Sequence, residues 1–228
     1  MKASNVRPAA DTRAFTLVEL LVVIAIISIL AALIVPLARN AADTQRKNRA
    51  KTELGLLQTA LEQYKSARGH YPPDNTNNAA RPPLFYELTG TVYTNSGLGR
   101  TYWSLYQGMP INRPTALMTF GVEAFINAAQ VGNAADAAQI RETDVKNCLN
   151  NLRSGQYLTN NDGAAFLGLP IDGPDEIVTS DGRRINPWRY NSSNPTNNTD
   201  TYDLWVDITL RNGTNRICNW SGDSIVLH

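Results

Sequence analysis

Glu19 is the residue of this sequence whose type and surroundings most strongly suggest a chemical role. Residues 15–18 before it and 20–38 after it carry no charge, and Ser28 is the only polar side chain between residues 20 and 38. An unpaired carboxylate in such apolar surroundings is costly. We therefore expect Glu19 to pair with a positive group, and a pair between two copies of the chain would fix their alignment. The alternative is a carboxylate that reaches a membrane surface and has no partner.

A candidate for the positive group lies just before this stretch. Residues 1–14 are hydrophilic and include Lys2, Arg7, Asp11 and Arg13. Cleavage between Ala14 and Phe15 would create a new α-amino group four residues before Glu19.

Other chemistry has little support in the sequence. The two histidines, His70 and His228, are too few for a histidine-based zinc site or a catalytic triad, and no nucleophile-elbow, metalloprotease, phosphate-loop or Cys-x-x-Cys motif is present. The net charge of +1, from 21 basic and 20 acidic residues, argues against a nucleic-acid-binding protein. Cys148 and Cys218 match no metal-ligand spacing and are expected to be either one disulfide or two buried thiols. We interpret the protein as a non-enzyme.

The uncharged run after Glu19 is long enough for a membrane helix. Its 19 residues, 20–38, would span ~28 Å as a helix, close to the hydrocarbon thickness of a bilayer. A removable signal ending near Ala31 and Ala32 is the alternative. Pro36 is expected to kink the helix near the end of this run.

The segment from Ala14 to Ile27 resembles the type III signal of type IV prepilins and of the pseudopilins of type II secretion systems. The resemblance implies that a prepilin peptidase cuts between Ala14 and Phe15 and methylates Phe15. Glu19 matches the glutamate that is the family's hallmark, and Pro36 falls where the family commonly has a kinking proline. The family normally has glycine before the cut, but alanine is the next smallest side chain, so we expect cleavage to survive.

Downstream of Pro36 the sequence predicts an amphipathic helix. Apolar side chains recur at helical spacing, and Gly69 with the following Pro72 and Pro73 is expected to end the helix; the stripe consists of Ala50, Leu54, Leu57, Leu61 and Tyr64. Residues 46–51 form a basic cluster, interpreted as a solvated face. Residues 60–72 resemble the end of the long helix in the major pseudopilin of type II secretion systems.

The carboxy-terminal region predicts a small antiparallel sheet. Residues 202–210 alternate between apolar and polar side chains, and a turn at Asn212 and Gly213 leads into a return strand over 215–221. Residues 176–178 and 183–185 are expected to pair around Asp181 and Gly182. Residues 186–188, 202–205 and 219–220 are similar, in this order, to short elements of the major pseudopilins.

Two features depart from that family. The major pseudopilins carry calcium in the loops of this sheet, but no carboxylate lies between Asp207 and Asn219 here, so we assign no metal ligand and no cofactor. Residues 75–170 also do not match the family pattern. Within them, helices are predicted over 115–130 and 134–152.

The sequence therefore predicts an α+β fold in which a long amino-terminal helix packs on a small carboxy-terminal antiparallel sheet, with a helical insertion. The expected parts are a cytoplasmic leader (1–14), a transmembrane and filament-core helix (15–38), the amphipathic half of that helix (39–69) and a periplasmic head (70–228). The charges flanking the span do not decide its orientation, so the placement in the inner membrane rests on the resemblance.

The resemblance implies a structural subunit of a type II secretion pseudopilus. The implied partners are prepilin peptidase, copies of the chain and other pseudopilins, the inner-membrane secretion platform and the membrane, with no nucleic acid. A surface type IV pilus subunit and a single-span periplasmic binding protein are the alternatives.

Overall fold

The computed structural model describes residues 16–96, 99–133 and 144–227, apart from the side chains of 33–40 and of residue 96. The chain divides into two units, 1–44 and 45–228. Residues 1–15 of the first unit lie outside the described part. The first unit contains the beginning of helix α1, and the second contains the rest of α1 and all other elements.

Helix α1 spans Leu17–Arg68. It ends where the sequence predicted: Gly69 takes the left-handed conformation (φ 82°), and its N–H donates to the carbonyl of Lys65 at 2.8 Å. Glycine carries no Cβ, so it adopts this cap conformation without a steric cost. The predicted apolar stripe is confirmed as well, since Ala50, Leu54, Leu57, Leu61 and Tyr64 are all buried.

The region after α1 begins with two short helices and four strands, and the strands form a first sheet. Helix α2 (Leu84–Thr89) leads into β1 (Thr91–Ser96), β2 (Gly99–Ser104) and β3 (Pro110–Asn112), followed by helix α3 (Arg113–Phe120) and β4 (Ala128–Gln130). The strand order is β3-β2-β1-β4. The β1–β2 and β2–β3 pairs are antiparallel, whereas β1 and β4 are parallel.

The helices predicted in this insertion differ from the observed ones. The helix predicted over 115–130 is wrong beyond Phe120, because Gly121 adopts a left-handed φ of 71° and its N–H caps the carbonyl of Leu117. Of the helix predicted over 134–152, residues 134–143 lie outside the described residues, and 144–152 are not helical. The described part of the insertion is thus a mixture of short helices and strands.

Two further sheets complete the head. One has the order β5-β6-β8-β7 and contains β5 (Tyr157–Thr159), β6 (Ala165–Leu169), β7 (Ile177–Val178) and β8 (Arg184–Pro187). The predicted pairing around Asp181 and Gly182 is confirmed, because Ile177 pairs with Ile185 and Val178 with Arg184.

The last sheet has the order β12-β11-β10-β9 and is antiparallel throughout; its strands are β9 (Arg189–Asn191), β10 (Asp203–Leu210), β11 (Gly213–Cys218) and β12 (Ile225–Leu227). The predicted hairpin is therefore confirmed. The alternation is confirmed on one face, where Leu204, Val206, Ile208 and Leu210 are buried. On the other face, Asp203 and Asp207 are also buried, which the alternation did not predict.

One hydrophobic core joins these elements within the second unit. The buried stripe of α1 belongs to the same cluster as the apolar faces of β6, β8 and β10 and the aromatic side chains of α2 and α3. The predicted α+β class, with the helix packed on the antiparallel carboxy-terminal sheet, is confirmed. Cys148 and Cys218 are both buried and free.

Candidate functional site

The start of α1 holds Glu19 in a reciprocal capping arrangement. The Glu19 carboxylate atom Oε2 accepts hydrogen bonds from the N–H and the hydroxyl of Thr16, each at 2.8 Å. The Glu19 N–H in turn donates to the Thr16 hydroxyl at 3.2 Å. This is a capping box, in which a threonine at the N-cap and a glutamate three residues later satisfy backbone donors of the first turn. Within the chain, Glu19 is thus positioned at the positive end of the helix dipole.

The side chains around Glu19 form an exposed apolar surface. The large apolar residues of this stretch are between 45% and 78% exposed: Leu17, Val18, Leu20, Leu21, Val22, Val23, Ile24, Ile26, Ile27, Ile29 and Leu30. Ser28 satisfies its hydroxyl locally by donating to the carbonyl of Ile24 at 2.7 Å. Contiguous exposed apolar surface of this kind marks a contact site for a membrane or another protein.

The other predicted site residues lie partly outside the described residues. Ala14 and Phe15, the predicted cleavage and methylation positions, belong to the part that the structure does not describe. The backbone of Pro36 lies within α1, but its side chain is outside the described part, so the predicted kink stays a prediction.

No helix among the described residues has both the length and the apolar character needed to cross a membrane. The predicted membrane segment, 15–38, includes residue 15 and the side chains of 33–38, which lie outside the described residues.

Glu87 is a buried carboxylate that connects α1 to the insertion. It was not identified from the sequence. Its side chain is fully buried and accepts hydrogen bonds from the Tyr64 hydroxyl (2.9 Å) and from the N–H groups of Ile126 (2.8 Å) and Asn127 (2.9 Å). Burial raises the pKa of Glu87, while these hydrogen bonds act in the opposite direction. Asn127 extends the network, since its Oδ1 accepts from Arg68 and from the Lys146 N–H.

The sequence does contain a signal for Glu87. It is the single charged residue in the helix Leu84–Thr89, among large apolar side chains, which is the same pattern that singled out Glu19. The two carboxylates differ in their surroundings: Glu19 is exposed, whereas Glu87 has three hydrogen-bond donors inside the core. Glu87 is therefore a packing determinant of the head.

The acidic residues of the carboxy-terminal sheet do not fit the calcium that the family resemblance implies. Among the side chains of the residues described, no group of three or more histidine, cysteine, aspartate or glutamate residues could hold a metal ion. The buried Asp207 is paired with Arg216, and the loop after β11 contacts the ammonium of Lys51. Calcium requires several oxygen ligands, including carboxylates. Here Arg216 already contacts the Asp207 carboxylate, and Lys51 already contacts a carbonyl oxygen of the loop after β11.

In the basic cluster at 46–51, two exposed side chains also contact other residues of the second unit. Lys51 binds the loop after β11, and Arg49 forms an ion pair with the buried Glu53 at 3.1 Å. Both side chains are exposed all the same, so these contacts are compatible with the interpretation of the cluster as a solvated face.

Comparisons with known proteins match the amino-terminal part of the chain. Residues 10–35 match the family described as the prokaryotic N-terminal methylation motif. This range includes Glu19, together with the predicted cleavage position. Among solved structures, none matches the chain significantly.

Two curated relatives are similar to the chain. The type II secretion system core protein G of Escherichia coli (strain K12) is 39% identical over 69 residues, which are 30% of this chain and 48% of the relative. The protein of the same name from Klebsiella michiganensis is 38% identical over 60 residues, which are 26% of this chain and 42% of the relative. The chain thus spans less than half the length of the curated relatives that it matches.

The comparisons bear on two predictions. The expectation that the chain is not an enzyme agrees with them, because the relatives are core proteins of a secretion system. The predicted resemblance is also confirmed: the chain carries the N-terminal methylation motif of type IV pilin-like proteins and is similar to the major pseudopilin of type II secretion systems.

Proposed function

We propose that this chain is a structural subunit of a type II secretion pseudopilus, polymerised through α1 after removal of residues 1–14. The observation that carries this proposal is the position of Glu19. It lies within the matched methylation motif and in the first turn of a helix whose apolar side chains are exposed. A secretion role is favoured over a surface pilus because the relatives are named as core proteins of type II secretion.

The exposed apolar surface explains why the subunit would polymerise. Burying apolar area contributes about 25 cal/mol per Å², and a helix with large apolar side chains on all sides is stable only inside a membrane or among other helices. The side chains from Leu17 to Leu30 meet this description. In the proposed pathway the segment first lies in the inner membrane, with the head in the periplasm, and then among the same segments of neighbouring subunits.

Charge pairing would set the alignment of these helices. The two bonds from Thr16 both reach Oε2 of Glu19. A carboxylate offers about four lone-pair sites, so Glu19 can accept a further bond at Oε1. The amino group of Phe15 in a neighbouring subunit would supply the positive charge. Because the pair is satisfied at only one axial offset between subunits, it would fix the register of assembly.

The proposed partners follow from this pathway. Prepilin peptidase would cleave between Ala14 and Phe15 and methylate Phe15. Other pseudopilins and the inner-membrane secretion platform would contact the assembled subunits, and the surface pilus and the periplasmic binding protein remain the competing functions. The binding-protein alternative requires a monomer in detergent with an unprocessed amino terminus.

Mass spectrometry of the amino terminus tests the proposal. The full chain would be purified from cells with and without prepilin peptidase. We expect the mature chain to begin at Phe15 with one added methyl group, and only when the peptidase is present. A chain that keeps Met1 in both strains would overturn the proposal.

A matched variant tests the one departure from the family. Ala14→Gly restores the usual residue before the cut, so we expect faster processing at the same position, measured by pulse-chase labelling. Cleavage at any other bond in this variant would contradict the assignment of Phe15 as the first mature residue.

A further inference from the structure

We propose that the carboxy-terminal sheet of this chain is stabilised by its own basic side chains and needs no calcium, unlike the major pseudopilins that the chain resembles. Three groups of contacts, at Asp207, at Asp203 and in the loop after β11, carry this inference. All of them lie within the second unit.

Asp207 and Arg216 form a two-point ion pair across the β10–β11 hairpin. The two residues are directly opposite in register. The guanidinium donates from Nε to Oδ1 at 2.7 Å and from its terminal nitrogen to Oδ2 at 2.9 Å. Both carboxylate oxygens are therefore in contact with a fixed positive charge. A bidentate pair of this kind is among the strongest hydrogen-bonding arrangements in proteins.

Asp203, the other buried acid of β10, is surrounded by N–H donors. Its Oδ2 accepts from the backbone N–H groups of Thr196 (2.8 Å) and Asn197 (3.0 Å) and from the Asn197 side-chain amide (2.9 Å). Its Oδ1 accepts from the N–H of Asn198 at 2.9 Å. A carboxylate held by N–H groups on both oxygens organises a loop and does not present oxygens to a cation.

Lys51 supplies a cation to the loop that follows β11. Its ammonium donates to the carbonyl oxygen of Gly222 at 2.7 Å and lies 3.7 Å from Oδ1 of Asp223. Carbonyl and carboxylate oxygens are the ligands that calcium uses. In this loop an ammonium from α1 holds one oxygen of each kind, and so it connects the helix to the end of the chain.

All three groups of contacts disfavour calcium binding at this sheet. Calcium needs six to eight oxygens at 2.3–2.6 Å, with carboxylates among them. Here the carboxylates of Asp203 and Asp207 are already satisfied by N–H donors, and two basic side chains, Lys51 and Arg216, would repel a divalent cation. The two buried carboxylates of β10 are thus satisfied by protein contacts alone.

Thermal unfolding of the full chain in detergent, monitored by tryptophan fluorescence, tests the inference. One sample contains a calcium chelator and the other contains calcium at about 10 mM, which is above the ~10⁻³ M dissociation constants of weak extracellular sites. We expect the Tm in the two conditions to agree within about 1 °C. At about 10 mM calcium, a site with a dissociation constant of ~10⁻³ M would raise the Tm by roughly 4 °C and a tighter site by more, so a rise of about 4 °C or more would overturn the inference. Calcium uptake at this sheet, seen as a calcium-dependent loss of amide exchange in residues 196–223, would do the same.

Two variants test whether Arg216 and Lys51 stabilise the sheet in place of calcium. We expect Arg216→Gln to lower the Tm by about 5 °C or more, because it leaves Asp207 buried without its partner. Lys51→Met is expected to increase amide exchange in residues 219–223, and it provides a readout if Arg216→Gln does not fold.

Two matched controls each remove one positive charge at a nearby position. Arg211→Gln changes the exposed turn of the same hairpin, and Lys47→Met lies one turn before Lys51 on α1. Both controls are expected to behave like the unmodified chain. If Arg216→Gln and Lys51→Met were indistinguishable from their controls, the basic groups would not stabilise the sheet and the inference would be wrong.

Discussion

The two halves of α1 carry similar apolar side chains but place them in opposite surroundings. From Leu17 to Leu30 the large apolar residues are exposed, whereas from Ala50 to Tyr64 the apolar stripe is buried in the core of the head. The second half therefore obtains its stability from its own chain. The described residues of the first unit leave the first half exposed, and exposed apolar surface of this kind marks a contact site for a membrane or another protein.

The same contrast holds for two carboxylates. Glu19 is exposed, and among the described residues its hydrogen bonds are to Thr16, within its own helical turn. Glu87 is fully buried and receives donors from α1 and from residues 126 and 127. A satisfied buried carboxylate stabilises a fold, whereas an exposed one within an apolar surface can select a partner. Each can be tested by substitution.

The largest effect is expected from Glu19→Val, which removes the charge that is proposed to align neighbouring subunits. The variant should still enter the membrane, because the helix becomes more apolar. We expect filament yield to fall to background, since no carboxylate is left to pair with the Phe15 amino group. Oligomers cross-linked in the cell envelope and quantified by immunoblotting provide the measurement.

Thr16→Val is the matched control for that substitution. It removes the hydroxyl of the capping box, which costs about 1 kcal/mol of helix stability, but keeps the Glu19 charge. Most of the filament yield should therefore remain. Equal loss in the two variants would show that the cap, and not the charge, is what assembly requires.

Glu87→Ala should be the most destabilising substitution within the head. It removes the acceptor of the Tyr64 hydroxyl and of the Asn127 N–H, which are buried, and of the partly buried Ile126 N–H. Each such loss costs about 1–3 kcal/mol, so we expect a loss of about 4 kcal/mol in the free energy of unfolding, measured by urea denaturation. Glu87→Gln keeps the shape and one acceptor oxygen and should cost less. If both variants were as stable as the unmodified chain, Glu87 would not support the head.

Much of the fold was predictable because local signals and packing agree. The stripe from Ala50 to Tyr64, the helix end at Gly69 and the β10–β11 hairpin follow from periodicity and turn chemistry. The end of α3 was missed because Gly121 lies inside an apolar helical pattern, where glycine alone does not decide between a cap and an interior position.

The candidate site was predictable only where a single residue carries the signal. Glu19 stands out in a run of uncharged residues. Its capping box with Thr16 was not predicted, although the spacing of the two residues is recognisable. The contacts of Asp207 with Arg216 and of Lys51 with Gly222 were not predictable in the same way. Those of Lys51 in particular join residues far apart in the sequence, and only the packing of α1 against the sheet brings them together.

Paired truncations on α1 measure the contrast between its halves directly. Leu61→Ala removes a fully buried side chain and should cost about 3 kcal/mol of unfolding free energy. Leu21→Ala makes the same change at an exposed position and should leave the stability of the head unchanged within about 0.5 kcal/mol. Urea denaturation of the full chain in detergent, with both variants in parallel, gives the comparison. A similar loss at the two positions would contradict the contrast between an exposed first half and a buried second half.

The smallest effect concerns the acid side of the stability profile. Burial acts to raise the pKa of Asp203, but the hydrogen bonds from Asn197, Asn198 and Thr196 together lower it below its ordinary value. A carboxyl whose pKa is lower in the folded state contributes stability above its unfolded pKa of about 3.9, and this contribution is lost as the pH falls through the folded pKa. The Tm of the unmodified chain should therefore decrease more steeply below about pH 4 than that of Asp203→Asn, by about 3 °C at most. The variant cannot lose a proton at this position, so parallel profiles would show that the loop from Thr196 to Asn198 does not depend on the charge of Asp203.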